Sequence, residues 1–175
     1  MSEISTALEK CGALRFGEFT LASGARSGYY IDIKKASTNP EVLKLIARLM
    51  ADAIRADPPD RIAGVVLGSV PLAAALSMAT DIPYVMVRKE KKDHGTGKLV
   101  EGDLVAGERV LVVEDVITTA GSCIKAIETL RAEGAEVVEV LSVIDRESGG
   151  RENLDAVGVR LRSLAKGSDL TKGRV

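Results

Sequence analysis

The chain has 175 residues, of which 46% are hydrophobic and 28% are charged, and its formal net charge at pH 7 is -1. These values predict a single globular domain over residues 1–175 with a substantial core. The near-neutral charge excludes broad nucleic-acid binding, because no basic excess is present to neutralise phosphates. Two cysteines are too few for a disulfide framework, and no apolar signal core or membrane span stands out. We therefore expect a cytoplasmic protein with no nucleic-acid or membrane partner.

The first part of the chain predicts a short helix followed by a β-hairpin. An apolar stripe at helical spacing ends at Gly12 and consists of Ile4, Ala7, Leu8 and Cys11. Apolar residues on both sides of a turn rich in serine and glycine predict the hairpin, and they are Phe19, Leu21, Tyr29, Ile31 and Ile33. Four of the five aromatic residues lie here, so the hairpin is suited to a planar ligand. Packing in the core is the more usual role of such residues.

From Asn39 onward the pattern alternates between helices and strands. Asn39-Pro40 is typical of a helix start, with asparagine as the cap and proline at the first helical position. The buried stripe of this helix is predicted to consist of Val42, Leu45, Ile46, Leu49, Met50 and Ala53. Two further helices are predicted, one at residues 72–78 and one around Ile124, Ile127 and Leu130. Strands are predicted at residues 62–67, 83–87, 110–113 and 137–144, with an edge strand through Val157, Val159 and Leu161. This alternation predicts a mostly parallel central sheet flanked by helices.

A long polar interval breaks the alternation between residues 88 and 109. It is rich in glycine and lacks a sustained period, and such long loops inside a domain are usually functional or disordered. Five of its cationic residues and the single histidine lie within eleven residues, and they are Arg88, Lys89, Lys91, Lys92, His94 and Lys98. The residues alone support equally a cation cluster beside a phosphate site and a solvated loop with mobile lysines.

The segment VLVVEDVITTAGS, residues 110–122, carries the strongest functional pattern. Its apolar strand is expected to end at Glu114 and Asp115, where parallel sheets place their ligand crevice. Small and hydroxyl residues follow from Thr118 to Ser122, and a helix begins there. Free amides and the helix dipole then favour a phosphate, while the carboxylates suit ribose hydroxyls or Mg2+. Acidic capping of the helix is the simpler alternative, but it does not require this many acidic, small and hydroxyl residues.

Other nucleotide and metal motifs are excluded by their spacing. HGTGKL lacks both the upstream glycine and the following Ser or Thr of a triphosphate-binding loop. No GxGxxG follows a predicted strand, which removes support for a dinucleotide fold. One histidine and two distant cysteines do not make up a zinc ligand set.

Together these motifs resemble the type I phosphoribosyltransferases, which bind phosphoribosyl pyrophosphate (PRPP), and among them the orotate phosphoribosyltransferase family. RKEKKDHGTGKLVEG followed by RVLVVEDVITTAGS carries the resemblance. LRFGEFTLASGARSGYYID and GVVLGSVPLAAALS are similar to the family's N-terminal hairpin and pyrophosphate-side loop. The likeness runs from about Leu14 to Arg146. It implies the type I phosphoribosyltransferase fold, an α/β fold with an N-terminal helix and hairpin hood over residues 1–38 and a flexible lid loop over residues 89–103.

The resemblance also implies a reaction. It is the transfer of the 5-phosphoribosyl group from PRPP to N1 of orotate, giving orotidine 5'-monophosphate and pyrophosphate in pyrimidine biosynthesis. Alternatives are a phosphoribosyltransferase for another base and a PRPP-sensing regulator on the same fold. The family implies Mg2+ held mainly through PRPP, without a dedicated protein ligand set. It also implies a homodimer in which each lid reaches the neighbouring site.

Residue roles follow by position from the same resemblance. The implied catalytic residues are Lys92, His94 and Asp115. The implied PRPP contacts are Arg88, Lys89, Lys92, His94, Glu114, Asp115, Val116, Ile117, Thr118, Thr119, Ala120, Gly121 and Ser122. The implied orotate contacts are Thr118 and Arg146. Without the resemblance, the residues favour a surface arginine at 146 that pairs with Asp145 or Glu147.

Three positions depart from the family pattern. Many members have a lysine at the position of Ala22 and some have one at Gly68. Two phosphate contacts are therefore missing or replaced, and Arg26 is one candidate for the replacement. Ala120 stands where a glycine is common, so we expect the turn there to tolerate a Cβ atom.

Overall fold

The computed structural model describes residues 2–20, 26–90 and 98–172. Its helices are α1 (Glu3–Lys10), α2 (Ile33–Ser37), α3 (Pro40–Ile54), α4 (Val70–Thr80), α5 (Gly121–Ala132), α6 (Gly150–Ala156) and α7 (Gly167–Thr171). Its strands are β1 (Leu14–Thr20), β2 (Arg26–Ile31), β3 (Arg61–Val65), β4 (Tyr84–Val87), β5 (Val100–Glu101), β6 (Arg109–Ile117), β7 (Glu136–Asp145) and β8 (Arg160–Lys166). In this part of the chain no helix is both long enough and apolar enough to span a membrane.

A six-stranded sheet forms the centre of the fold, in the order β5-β4-β3-β6-β7-β8. All neighbours are parallel except β4 and β5, which pair antiparallel. The chain runs outward from β3 to β4, then returns to β6 and continues in the opposite direction through β7 and β8. The strand order therefore reverses between β3 and β6, and ligands of open α/β sheets bind at the carboxyl ends beside such a reversal.

Helices cover both faces of this sheet, as the alternating pattern predicts. Leu111 and Val113 of β6 belong to the cluster that packs with α1, α2, α3 and α4. Val110 and Val112 of the same strand belong to the cluster on the other face, with α5. Successive side chains of a strand point to opposite faces, so one run of valine and leucine serves both cores.

The N-terminal hairpin and the start of the long helix are confirmed. Strands β1 and β2 form a separate antiparallel sheet, with Phe16 opposite Tyr29. The Asn39 side chain accepts hydrogen bonds from the backbone N–H groups of Glu41 and Val42, at 3.0 and 3.2 Å. This cap satisfies N–H groups that a helix start otherwise leaves without partners.

Three predicted boundaries are wrong. Strand β6 continues to Ile117 because it pairs with β7 as far as Asp145, so the two carboxylates lie within the strand. Ile33 begins α2 instead of continuing the hairpin, since the Asp32 side chain caps that helix through the Lys35 N–H. The alternation from residue 157 to 161 reflects the end of α6 and the start of β8, where the Val159 N–H bonds back to the Leu154 carbonyl.

The predicted lid is also only partly a loop. Val100 and Glu101 form β5, which pairs with Met86 and Val87 of β4. The C-terminal part of the predicted lid is therefore attached to the sheet edge. Residues 91–97 lie outside the described part of the chain.

Candidate active site

A cavity of about 240 Å³ opens at the reversal between β3 and β6. The loop after β3, the carboxyl-terminal half of β6, the start of α5 and one residue of α2 form its walls. The residues that line it are Lys34, Val65, Val66, Leu67, Gly68, Ser69, Lys89, Glu114, Asp115, Val116 and Ser122. It is therefore a polar site at the place that the sheet topology predicts.

Glu114 is the buried acid of this site. Its residue is 6% exposed, and the Ser69 hydroxyl donates a hydrogen bond of 2.6 Å to its Oε2 atom. Burial raises the pKa of Glu114 to about 7, and the negative charge of Asp115 adds to the increase. The Ser69 hydrogen bond and Lys89 act in the opposite direction, but the loss of hydration outweighs them.

Asp115 is the accessible acid beside it. Its Oδ1 atom accepts a hydrogen bond of 2.7 Å from the Val116 N–H, which fixes the carboxylate. A Cβ atom on Gly68 would overlap Asp115 Oδ2. Glycine at this position therefore lets the loop after β3 approach the carboxylate directly.

Two helices begin at this cavity without a side-chain cap. Ser69 precedes α4, but its hydroxyl donates its hydrogen bond to Glu114 and does not cap the helix. Ala120 precedes α5 in the left-handed conformation, with φ 64°, and also provides no cap. The first N–H groups of a helix lack intrahelical partners, so both helix starts favour anions. The turn at Ala120 accommodates a Cβ atom, as expected.

Five of the predicted PRPP contacts line the cavity, namely Lys89, Glu114, Asp115, Val116 and Ser122. Thr118, Thr119 and Gly121 are exposed on the adjoining turn. Ile117 and Ala120 are buried, so only their backbone is available to a ligand. The Asn153 side chain donates a hydrogen bond to the Thr119 carbonyl at 3.0 Å and supports this turn from α6.

Among the described residues, Arg88 is the predicted PRPP contact that lies outside both this cavity and the adjoining turn. It lines a neighbouring cavity with Lys89, Ser122, Lys125 and Thr129, and its guanidinium lies 3.7 Å from the Glu101 carboxylate. Lys92 and His94 lie outside the described residues, so their roles stay predictions. Ala22 also lies outside them.

Arg146 is held by the hairpin and not by its acidic neighbours. Its guanidinium lies 4.8 Å from the centre of the Tyr29 ring and donates a hydrogen bond of 3.3 Å to the Ser27 hydroxyl. Asp145 pairs instead with Arg151 at 3.2 Å, and the Glu147 carboxylate accepts the Ser168 N–H. The pairing of Arg146 with either acid is therefore wrong. Its backbone N–H bonds to the Ile117 carbonyl, which places it next to Thr118.

Sequence reasoning assigned no role to Ser69 or Lys34, and placed Tyr29 only in the hairpin, either in the core or against a planar ligand. Ser69 lies in the motif GVVLGSVPLAAALS, but the motif gives no signal that the Ser69 hydroxyl bonds to Glu114. Tyr29 follows the alternation of a hairpin and gives no signal of its contact with a distant arginine. In the described residues, no group of three or more His, Cys, Asp or Glu side chains is arranged to hold a metal ion.

The burial of Glu114 predicts a dependence of stability on pH. The folded state binds a proton at Glu114 more tightly than the unfolded state, for which the ordinary pKa is 4.5. The free energy of unfolding therefore falls as pH rises from about 4.5 to about 7. We predict that Glu114→Gln raises this free energy by on the order of 3 kcal/mol at about pH 8, with little change near pH 4.5.

Urea unfolding of the substrate-free protein at both pH values checks this. Glu128→Gln, which removes an exposed carboxylate from α5, is the control and should give no such difference. An effect of Glu114→Gln that is equal at both pH values would show that burial does not penalise its charge.

Comparison with known proteins places this site in a family. The model of the phosphoribosyl transferase domain matches residues 33–165. The orotate phosphoribosyltransferase of Pyrococcus abyssi is 52% identical over 161 residues, which cover 91% of this chain and 88% of that protein.

Solved structures give the same result. The orotate phosphoribosyltransferase of Aeropyrum pernix superimposes with a TM-score of 0.87 at 37% identity, covering 97% of this chain and 96% of that one. The Mycobacterium tuberculosis H37Rv enzyme in complex with PRPP superimposes with a TM-score of 0.79 at 34% identity, covering 97% and 99%. The match extends over the sheet, the helices and the hairpin, so the chain belongs to the orotate phosphoribosyltransferase family of the phosphoribosyltransferases.

Proposed function

We propose that the cavity binds PRPP and transfers its 5-phosphoribosyl group to N1 of orotate. The C1–O bond of PRPP breaks, the bond from N1 to C1 forms, and pyrophosphate leaves with the electron pair of the broken bond. The proton of orotate N1 is lost in the same process. The products are orotidine 5'-monophosphate and pyrophosphate, as in pyrimidine biosynthesis. The arrangement that carries this proposal is the pair of uncapped helix starts on either side of two carboxylates.

PRPP has an anionic group at each end of its ribose, and the cavity offers a matching site for each. The turn from Thr118 to Ser122 and the first amides of α5 bind the 5-phosphate. The start of α4 and Lys89 face the diphosphate. Glu114 and Asp115 lie between them and accept hydrogen bonds from the ribose hydroxyls. This fit fixes the reacting carbon between the leaving group and the base.

Catalysis in this proposal is mainly electrostatic. Positive charge develops on the ribose and negative charge on the departing pyrophosphate, so cations placed in advance lower the barrier. We assign this task to Lys89 and Lys92, with His94 holding pyrophosphate or donating a proton to it. Closure of the lid over the site excludes water, which would otherwise hydrolyse the activated ribose.

The residues present fit Mg2+ bound with the substrate. Mg2+ prefers oxygen ligands and is often held by one or two carboxylates together with substrate phosphates. Asp115, fixed by the Val116 N–H and open to the cavity, offers such a carboxylate. When bound, Mg2+ neutralises charge on the diphosphate.

Orotate differs from uracil and the purine bases in its carboxylate. Arg146 lies next to Thr118, and its contacts with Tyr29 and Ser27 hold the guanidinium at the same end of the sheet. A guanidinium binds a carboxylate through two parallel hydrogen bonds. This supports orotate over another base, as do the names of the relatives. Those names also favour a catalytic role over the PRPP-sensing regulator.

The family resemblance supports a homodimer with shared lids, in which each lid reaches the site of the neighbouring subunit. Arg88 lines a cavity together with Lys89 and Ser122, and these two residues also line the adjoining cavity that holds the two carboxylates. We place this dimer in the cytoplasm, where a reducing environment suits the two free cysteines.

The direct test is a spectrophotometric assay of orotate consumption by the purified protein with PRPP and Mg2+. We expect orotate to be consumed, and uracil, hypoxanthine and adenine to give no product. A chelator should abolish the reaction, and added Mg2+ should restore it. Turnover of a different base in preference to orotate would contradict the proposal.

Removal of the Arg146 guanidinium should affect orotate selectively. We predict that Arg146→Ala raises the KM for orotate by about 10- to 100-fold, because one charge-assisted pair is lost, with little change in the KM for PRPP. Steady-state kinetics with each substrate varied in turn measure both constants. Arg55→Ala, at the exposed position that follows α3, is the control. Equal increases in both constants would argue against an orotate contact.

Shared lids predict complementation between inactive subunits. Lys92→Ala and Asp115→Asn homodimers should both be nearly inactive. After the two proteins are unfolded together and refolded, we expect about a quarter of wild-type activity, because half of the dimers are mixed and each has one intact site. If mixing restores no activity although mixed dimers form, each site uses only its own lid.

A further inference from the structure

Lys34 lies on the wall of the cavity, although its position on a short helix gives no sequence signal of a site. Helix α2 is fixed to the protein by the buried residues Ile33, Ala36 and Ser37. The Asp32 side chain caps the helix through the Lys35 N–H at 3.1 Å. Lys34 is exposed, and its side chain lines the cavity together with Lys89 and the two carboxylates. The backbone of α2 therefore holds this lysine at the site before any ligand binds.

The loop after β3 makes room for the Lys34 side chain. Lys34 Cε lies 3.6 Å from the point where a Cβ atom on Gly68 would stand, and the same point overlaps Asp115 Oδ2. The methylene stem of Lys34 therefore runs beside Gly68, next to the start of α4 and close to Asp115. In the described residues, no carboxylate lies within 4.0 Å of its ammonium group in an ion pair.

We propose that Lys34 is a substrate-binding residue that contacts the diphosphate of PRPP and the pyrophosphate product. The inference rests on the proposed function. It adds a residue that neither the sequence motifs nor the position-by-position resemblance names. Among described residues, Lys34 and Lys89 are the two cations that line the cavity, against the two acids Glu114 and Asp115.

The charge balance explains why a second cation is needed. The 5-phosphate binds at α5, at the opposite side of the carboxylates from α4. A diphosphate at the start of α4 would otherwise meet the Asp115 carboxylate with only Lys89 to balance it among the described residues. An ammonium group on a four-carbon stem reaches this end of the cavity from α2 and neutralises the added charge.

The next residue of the same helix provides a matched control. Lys35 is also exposed, but its Nζ atom lies 3.0 Å from the Cβ position of Gly12, beside the end of α1. It does not line the cavity. Lys35→Gln therefore removes the same charge from the same helix at a position that faces away from the site.

Calorimetric titration with pyrophosphate and Mg2+ tests the contact directly. We expect Lys34→Gln to raise the Kd for pyrophosphate by about 10- to 100-fold, and the KM for PRPP by a similar factor. The KM for orotate should stay within about twofold of the unmodified protein. Lys34→Arg, which keeps the charge, should recover most of the affinity, and Lys35→Gln should match the unmodified protein.

The outcomes separate this inference from the proposed function. If the unmodified protein converts orotate and binds pyrophosphate, and Lys34→Gln binds pyrophosphate equally well, Lys34 has no such role. Equal losses for Lys34→Gln and Lys35→Gln would also overturn it, because they would report the general charge of α2. If the unmodified protein binds pyrophosphate through Lys34 but does not convert orotate, the proposed reaction fails while the contact stands.

Discussion

The hydrogen bond between Ser69 and Glu114 is the interaction on which the site depends. It joins the start of α4 to β6 across the point where the strand order reverses. Because the Ser69 hydroxyl is used in this bond, the first turn of α4 has no side-chain cap and its N–H groups remain available. The same bond is one of the few polar contacts of a carboxyl that is otherwise withdrawn from water. One contact thus leaves the first N–H groups of α4 without a side-chain cap and positions an acid beside them.

Two glycines allow the backbone to approach closely enough for this contact. A Cβ atom on Gly64 of β3 would stand 2.9 Å from Ala73 Cβ and 3.1 Å from the Ser69 carbonyl oxygen. Glycine there lets α4 pack directly on the sheet. Gly68 gives the same freedom to the loop, which lies against Asp115 and the stem of Lys34. The two glycines of the motif GVVLGS are therefore required for the close packing of β3, α4 and β6.

Local patterns predicted most of the fold and the centre of the site. The run of apolar residues before Glu114, the Asn39-Pro40 cap and the small residues after Ile117 all act within a few positions, so sequence spacing is enough to detect them. The end of β6 was missed because its last residues are held by pairing with β7, which a local pattern does not contain. The family resemblance assigned Arg146 to orotate, but the residues alone favoured its pairing with the acidic neighbours for the same reason, because Tyr29 and Ser27 come from a distant hairpin. The sequence around Lys34 does not distinguish it from a surface lysine, because only the folded chain places α2 beside the cavity.

In the proposed function, the starts of α4 and α5 bind the two anionic ends of one PRPP molecule. Backbone amide spectra of the 15N-labelled protein, recorded during titration with PRPP and Mg2+, test it most directly. We expect the amide signals of Leu72 in α4 and of Gly121 and Ser122 in α5 to shift together and to saturate at the same PRPP concentration. Signals of α4 that stay unchanged while those of α5 shift and saturate would contradict the account.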